Sequence, residues 1–351
     1  MVKKIVKVFI ILLSILLAAA VALVAFLSIT EFNPAARETL TVTVDADALQ
    51  AAVGETLTLF TWNIGYGGLG AASDFFMDGG EMVDPPSQQA VEQNMEGILS
   101  FMAQQQADAW LLQEVDFDSA RTDGMDQLAA VQDKLGGSSA FAYNYKCPFV
   151  PIPLPPVGRI ESGLVTQSRL QLAETAERVS LPSPFSWPIR AAQIKRCLLV
   201  TRLPLQNSDK ELVLINLHLE AYDDGEGKKA QTELMLQVLQ EEYAKGNYVI
   251  AGGDFNQTFP GALDVYPITD TENWVPGTLE PDILPQGWRF AYDTAAPTCR
   301  ALDAPLSETT QTFVIDGFIV SPNVSVSSVT TQDLGFAHSD HNPVRLQCVL
   351  Q

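Results

Sequence analysis

The sequence is poor in histidine and in positive charge. Three histidines occur among 351 residues, and 21 lysines and arginines are set against 42 aspartates and glutamates, which gives a formal net charge of −21. Non-specific binding to nucleic acid depends on clustered lysine and arginine. We therefore expect no stable nucleic-acid partner. A local cationic pocket remains compatible with the negative net charge of the chain, because salt screens exposed charges over ~8 Å.

Cysteine is also scarce, and the four cysteines form no Cys-x-x-Cys pair. This spacing argues against a zinc site. Cys197 and Cys348 lie in apolar runs, which favours buried free thiols, although an oxidising exterior would permit three complete disulfide pairings. Repeats and low-complexity tracts are absent, and 47% apolar residues can supply a substantial core.

The first long apolar run covers residues 8–29 and contains two serines as its only polar residues. Its 22 residues, at ~1.5 Å each, reach about 33 Å, enough to cross a bilayer core of roughly 30 Å. Three lysines precede it and a glutamate follows it: Lys3, Lys4, Lys7 and Glu31. The bias of positive charge towards the cytoplasm then predicts a single-pass cell-membrane protein whose remainder is extracellular.

Residues 1–30 are accordingly interpreted as a cytoplasmic N-terminus and transmembrane anchor. The alternative is a secretory signal peptide cleaved near Ala20-Val21-Ala22. The anchor is favoured because the apolar run continues well past that point and exceeds the ~7 to 15 residues of a signal-peptide core.

Residues 31–54 are predicted to be a membrane-proximal segment, with a short strand at 41–44, and residues 55–351 to be one domain. Helices are predicted from Ser87, over 123–135 and over 228–243. The five prolines between Cys147 and Gly158 predict a rigid surface loop. Apolar and alternating patterns predict strands at 56–62, 109–113, 162–168, 196–203, 211–219, 247–253, 312–320 and 343–350.

Polar side chains recur at or near the ends of these strands. Each alone is typical of a turn or a helix cap. Together they predict one site, because strand ends of layered α/β folds converge on one rim. The residues are Asn63, Glu114, His218, Asp254, Asn256, Asp316, Asp340 and His341.

The set of motifs TWNIG, LLQEVD, SGLVTQS, INLHL, GGDFNQ, IDGFIV and SDHNPV resembles the endonuclease/exonuclease/phosphatase superfamily, in family order over about residues 55–351. GGDFNQ and SDHNPV are its most specific parts. The resemblance implies an α/β (α+β) fold, a four-layer sandwich of two packed, mostly antiparallel sheets flanked by helices. It also implies a Mg2+-dependent phosphoester hydrolase, with Mn2+ as the alternative ion.

The resemblance further implies the roles of the site residues. Glu114 and Asp340 would hold the metal, which prefers oxygen ligands, and Asn63 would assist at the metal or the phosphate. Asp254 and His341 would share the work on the water and the phosphoryl group. The remaining three would be Asp316 orienting His341, His218 donating to a phosphate oxygen and Asn256 binding phosphate. His338 falls just outside the motif, and both a surface or substrate-side role and no role stay open for it.

The anchor and the acidic charge favour a phosphodiesterase or phosphatase that acts, as a monomer, on lipid-derived or small phosphoesters. A secreted or anchored nuclease is one alternative. A catalytically inactive module that binds phosphate ligands is another. A group of basic residues is interpreted either as a phosphate-facing rim or as solvated surface side chains: Arg159, Arg190, Lys195 and Arg196.

Overall fold

The computed structural model describes residues 2–223 and 225–351. Its helices are α1 (Val2–Ile29), α2 (Gln88–Gln104), α3 (Gln127–Leu135) and α4 (Glu226–Ala244). Its strands are β1 (Arg37–Thr41), β2 (Thr56–Asn63), β3 (Ala109–Asp116), β4 (Ser138–Val150), β5 (Gly158–Ser168), β6 (Thr175–Ser180), β7 (Cys197–Pro204), β8 (Glu211–His218), β9 (Tyr248–Asp254), β10 (Gln257–Thr258), β11 (Gly277–Thr278), β12 (Arg289–Ala291), β13 (Cys299–Arg300), β14 (Thr312–Phe313), β15 (Asp316–Val320), β16 (Val324–Thr331) and β17 (Val344–Leu350).

Two large mixed sheets form the body of the fold. The seven-stranded sheet has the order β1-β6-β7-β8-β9-β15-β12, and the six-stranded sheet has the order β16-β17-β2-β3-β5-β4. Within them β2/β3 and β8/β9 are parallel pairs, and the other neighbours are antiparallel. The predicted α/β architecture with two packed sheets is confirmed.

Alternation along β2 shows how the sequence builds the layers. Leu59 faces the seven-stranded sheet and joins a core with Leu214 and Phe318. Trp62 faces the other way, against Met95 of α2. Because successive side chains of a strand point to opposite faces, one strand serves two cores. A third core lies between the seven-stranded sheet and α4, which completes four layers.

The helix predictions hold with shifted ends. Ser87 caps α2, since its hydroxyl accepts a hydrogen bond from Ala90 N at 3.1 Å. Helix α3 begins at Gln127 rather than near Asp123, because Asp123 has a positive φ of 52° and Asp126 is the cap. The four cysteines are buried and free in the described part of the chain.

Two predictions about the first half of the chain need correction. Strand β4 continues through Cys147 to Val150, so the irregular loop is shorter than predicted and covers 151–157. Pro148 is tolerated because β4 lies at the edge of its sheet. The early strand is β1, at 37–41 rather than 41–44, and it pairs with β6. The division at residue 55 stays a prediction.

Helix α1 is long and apolar enough to cross a membrane, or to be a signal sequence. Almost all of its side chains are exposed, and its C-terminal end contacts the sheet domain through Leu23 and Leu27. A long apolar helix with so little burial is unstable in water and stable in hydrocarbon.

Candidate active site

The six-stranded sheet contributes Asn63 and Glu114 from two parallel strands. Asn63 is the last residue of β2 and pairs in register with Gln113 of β3. The next residue, Glu114, has a positive φ of 54° and lies where the β3/β5 register shifts. A bulge of this kind turns a side chain away from the regular alternation. Both side chains thereby line one cleft.

The seven-stranded sheet contributes three residues in matching register. His218 ends β8 opposite Asp254, which ends β9, and Asp316 begins β15 opposite the same Asp254. His218 Nε2 lies 3.4 Å from Asp254 Oδ2. Asn256 follows with a positive φ of 51°, and its backbone N–H donates to Asp254 Oδ1 at 2.8 Å.

The segment before β17 brings Asp340 and His341 to these strand ends. Ser339 Oγ donates to Asn63 O at 2.8 Å, and Trp62 Nε1 donates to His341 O at 2.9 Å. The two contacts hold the segment against the end of β2. His341 Nδ1 then lies 2.8 Å from Asp316 Oδ2, which predicts an imidazole with a fixed orientation.

Asn63 connects the two sheets at the centre of the site. Its Nδ2 donates to Glu114 Oε1 at 3.0 Å and to Asp254 Oδ2 at 3.1 Å. The same atom is 3.5 Å from His341 Nε2. Seven of the eight residues singled out in the sequence line the cleft, and Asp316 lies behind His341.

Burial raises the pKa of Asp254 and of Asp340, two of the aspartates that line the cleft. The pKa of Asp254 rises to about 6, with Asp316 adding to the rise and His341 opposing it. The pKa of Asp340 also rises to about 6, because burial and the nearby Glu114 disfavour its charge. Each would lower its energy by gaining a cationic neighbour.

The two site histidines have opposite shifts. Burial lowers the pKa of His218 well below its usual value, and Arg196 lowers it further. Burial also opposes the charged form of His341, but Asp316, Asp340 and Asp254 together raise the pKa of His341 well above its usual value. The surroundings thus favour the neutral form of His218 and the charged form of His341.

The cleft contains polar residues that sequence analysis missed. The Arg121 guanidinium lies 3.5 Å from the centre of the Tyr66 ring and binds Asp116 at 2.9 and 3.1 Å. Tyr222 Oη donates to Asp78 Oδ1 at 2.8 Å, and burial raises the pKa of Asp78 to about 7. Apart from Asp116, which ends β3, these residues come from connections between strands, where no local pattern distinguished them from ordinary surface residues.

The basic group expected to face phosphate is mostly engaged elsewhere. Arg159 binds Asp118, and both Arg190 and Lys195 bind Glu31. Arg196 alone of the four lines the cleft, with Nε 3.6 Å from Glu220.

His338 lies outside the cleft, against helix α2. A Cβ at Gly97 would lie 2.3 Å from His338 Nε2, so the ring occupies the space that glycine leaves. The two histidines near the C-terminus therefore lie in different surroundings, since His341 faces the cleft and His338 packs on a helix.

A sequence model described as the endonuclease/exonuclease/phosphatase family matches residues 60–341. The chain belongs to the endonuclease/exonuclease/phosphatase family. The matched range includes every residue of the cluster from Asn63 to His341. No curated protein sequence matches the chain.

Solved structures resemble the chain in fold at low sequence identity. A family member from Beutenbergia cavernae is 18% identical with a TM-score of 0.55, covering 84% of this chain and 72% of its own. One from Bacteroides thetaiotaomicron is 14% identical with a TM-score of 0.54, covering 85% and 96%. TDP2 from D. rerio, solved with a single-strand DNA product, is 14% identical with a TM-score of 0.51, covering 84% and 99%.

Members of this family usually require a divalent metal, and the cleft contains acidic and histidine groups that can hold one. Ligand atoms of Asp254, Asp316 and His341 lie within 4.8 Å of one another. A second acidic set is Glu114 with Asp340. A Cβ at Gly65 would lie 2.8 Å from Asp340 Oδ1, so glycine there leaves this carboxylate room. The donors fit a hard cation that prefers oxygen.

Proposed function

We propose that the chain is a membrane-anchored, extracytoplasmic, metal-dependent phosphoester hydrolase. It acts as a phosphodiesterase or phosphatase on lipid-derived or small phosphoesters. Mg2+ is the proposed ion, and Mn2+ is the alternative.

The observation that carries the proposal is the position of Asn63. Its amide contacts Glu114 and Asp254, and it lies next to His341. A metal-binding carboxylate, a water-activating carboxylate and an imidazolium therefore surround one small volume. Phosphoester hydrolysis needs these three functions within one substrate length.

Glu114 and Asp340 are the proposed metal ligands, with Asn63 at the edge of the ion or the phosphate. The ion would neutralise phosphoryl oxygens and so favour attack by water. We assign Glu114 and Asp340 as the ligands in preference to Asp254, Asp316 and His341. The 2.8 Å contact between Asp316 and His341 Nδ1 already occupies two members of that second group.

Asp254 and His341 divide the remaining chemistry. Asp254 accepts hydrogen bonds from Asn63 and from the Asn256 backbone, so its carboxylate is fixed in place to accept a proton from water. His341, charged and backed by Asp316, is suited to donate to the phosphoryl group. His218 is proposed to donate to a phosphate oxygen, and Asn256 to hold the phosphate.

The walls of the cleft support a small or lipid-derived phosphoester over a long polyanion. Apolar residues contribute much of the lining: Leu69, Phe75, Met77, Ile194, Trp274 and Leu302. The described arginines of the lining are paired, Arg121 with Asp116 and Arg196 with Glu220, while Arg300 binds backbone carbonyls. Nucleic-acid binding would require basic residues that are free to contact successive phosphates.

The test is turnover by the full chain in nanodiscs. Bis-p-nitrophenyl phosphate, p-nitrophenyl phosphate, a phospholipid and single-stranded DNA are each supplied with Mg2+, Mn2+ or EDTA. We expect metal-dependent release from a small or lipid phosphoester. Preferred cleavage of DNA would support the nuclease alternative. Binding without turnover on any substrate would support an inactive module and contradict the proposal.

The extracytoplasmic position is tested separately. Protease added to intact cells should remove the catalytic domain, and recovery of the full chain in the soluble cytosolic fraction would contradict the anchor.

A further inference from the structure

Exposed apolar side chains are concentrated beside the C-terminal end of α1. Outside that helix, large apolar residues are exposed at eight described positions: Leu49, Val53, Met77, Ile152, Leu154, Trp187, Ile189 and Val265. Four of them lie on the loop 151–157 and on the segment 181–189, which ends at the first residue of a short 3-10 helix. Leu154, at 88% exposed, is the most exposed of all eight. We call Ile152, Leu154, Trp187 and Ile189 the apolar collar.

Contacts with α1 bring both loops to the same place. Leu23 and Leu27 of α1 pack with Val150, at the start of the first loop, and with Ala191, just after the second. Trp187 Nε1 donates to Ser28 Oγ at 2.9 Å. The collar is therefore continuous with the last two turns of the helix.

The length of α1 fixes the depth of these contacts in a membrane. The apolar run 8–29 reaches about 33 Å, against roughly 30 Å of hydrocarbon, so little of it can project beyond the bilayer. Leu23 lies six residues before Ile29, which is about 9 Å along the helix axis. Groups that pack against Leu23 must then lie at or within the boundary of the hydrocarbon.

One wall of the catalytic cleft lies next to this surface. Lys195 Nζ binds Glu31, two residues beyond the end of α1, at 2.9 Å. Its neighbours Ile194 and Arg196 both line the cleft, as does Gln193. Four Cα steps separate Ile189 from Gln193, so the collar lies at most ~15 Å from the cleft wall along the chain.

We propose that the apolar collar is a second membrane contact, which enters the outer leaflet of the bilayer that α1 spans and holds the mouth of the cleft at the lipid surface. The substrate is then a phosphoester carried by a lipid of that same membrane. The proposal rests on the proposed function in one respect, that α1 stays attached as an anchor.

Spin-label depth measurements on the full chain test the collar. The four native cysteines are buried, so a cysteine introduced on the surface can be labelled selectively. Leu154→Cys and Ile189→Cys report on the two loops. Leu49→Cys is the matched control, since Leu49 is 74% exposed and pairs with Leu170 beyond the far end of β5, about 33 Å from the 151–157 loop.

The chain is synthesised directly into nanodiscs of phosphatidylcholine and phosphatidylglycerol, which avoids cleavage by signal peptidase. For each label, the collision rate with oxygen is divided by the collision rate with a water-soluble nickel chelate. We expect this ratio to be at least threefold higher at positions 154 and 189 than at position 49. Equal ratios at all three positions would contradict the proposal that the apolar collar enters the bilayer.

This readout does not depend on turnover, so the two proposals fail separately. High ratios in a protein that cleaves no phosphoester would contradict the proposed function and keep the membrane contact. Turnover of a phosphoester with equal ratios at the three positions would contradict the membrane contact and keep the proposed function. If Leu154→Cys fails to fold, Ile152→Cys on the same loop replaces it.

Discussion

Two buried carboxyl groups at opposite ends of the same strands have opposite electrostatic states. Glu242, at the end of α4, binds Asn247 just before β9 begins, and Asp254 ends β9. Burial opposes the charge of Glu242, yet hydrogen bonds from Arg202 and Lys245 lower its pKa to about 2. Burial raises the pKa of Asp254 to about 6.

This difference in pKa indicates that the Glu242 end of the strands serves stability and the Asp254 end serves function. At the Glu242 end, Arg202 and Lys245 compensate the carboxylate within the chain. At the Asp254 end, the carboxylates of Asp254, Asp316 and Asp340 lie 2.8–3.7 Å from the ring nitrogens of His341, and Glu114 lines the same cleft. Such an excess of negative charge destabilises the free protein, and a bound cation would relieve the repulsion. The following changes test this contrast.

The largest expected effect is loss of turnover in Glu114→Gln. The amide keeps the size of the side chain and removes the charge that holds the ion. A bound ion stabilises the transition state by several kcal/mol, so we expect kcat/KM to fall on the order of 10³-fold. Glu92→Gln, on the exposed face of α2, is the control. Full activity in Glu114→Gln would refute the metal assignment.

Glu242→Gln should lower the stability of the protein and leave its turnover unchanged. Removing this charge leaves Arg202 with Glu211, at 3.1 Å, as a carboxylate partner. The loss should therefore be smaller than for a fully broken buried pair, about 2 kcal/mol. We expect chemical denaturation to show that loss in the free energy of unfolding, with kcat unchanged. A loss below about 1 kcal/mol would mean that the pair contributes little to stability.

Asp254→Asn should stabilise the metal-free protein. The substitution removes one of the like charges around His341. The single amide oxygen can still accept from one of the two donors, Asn63 and the Asn256 backbone, so part of the gain is offset. In EDTA we expect the free energy of unfolding to rise by about 1 kcal/mol while turnover is lost. If Asp254→Asn destabilised the protein as much as Glu242→Gln, the charge of Asp254 would contribute to stability as that of Glu242 does, and the contrast between the two carboxylates would be wrong.

The smallest effect is expected from His338→Ala. Its ring packs on Gly97 outside the cleft, so kcat should change by less than about twofold, within the range of ordinary surface changes. A loss comparable to that of His341→Ala would place His338 in the site.

Much of this arrangement was predictable because the motifs are local. Asn63, His218 and Asp254 each end an apolar strand, and register then brings strand ends to one rim. Other features depend on pairing across the sheets. The bulge at Glu114 exists only relative to β5, and the edge position of β4 is what allows a strand through Pro148.

Strands with weak apolar patterns were missed for a physical reason. Strand β16 reads VSVSSVTT and is buried only in part, so its polar side faces water and its alternation is blurred by serine and threonine. The partners in the cleft wall, such as Asp78 with Tyr222, are 144 residues apart. Their meeting depends on the tertiary fold rather than on any local signal.

The most direct measurement of the central claim is kcat for His341→Ala, Asp316→Asn and the double variant. We expect His341→Ala to lower kcat by on the order of 10²-fold or more. Asp316→Asn should lose less, because an amide can still hydrogen-bond the ring without supporting its charge. Both side chains are buried, so each variant can lose stability. The control for folding is therefore circular dichroism, which should show native secondary structure at the assay temperature.

Because the two residues act as one unit, the double variant should lose less than the product of the single losses. Fully multiplicative losses would contradict the account, since they would mean that the 2.8 Å contact between Asp316 and His341 does not serve catalysis.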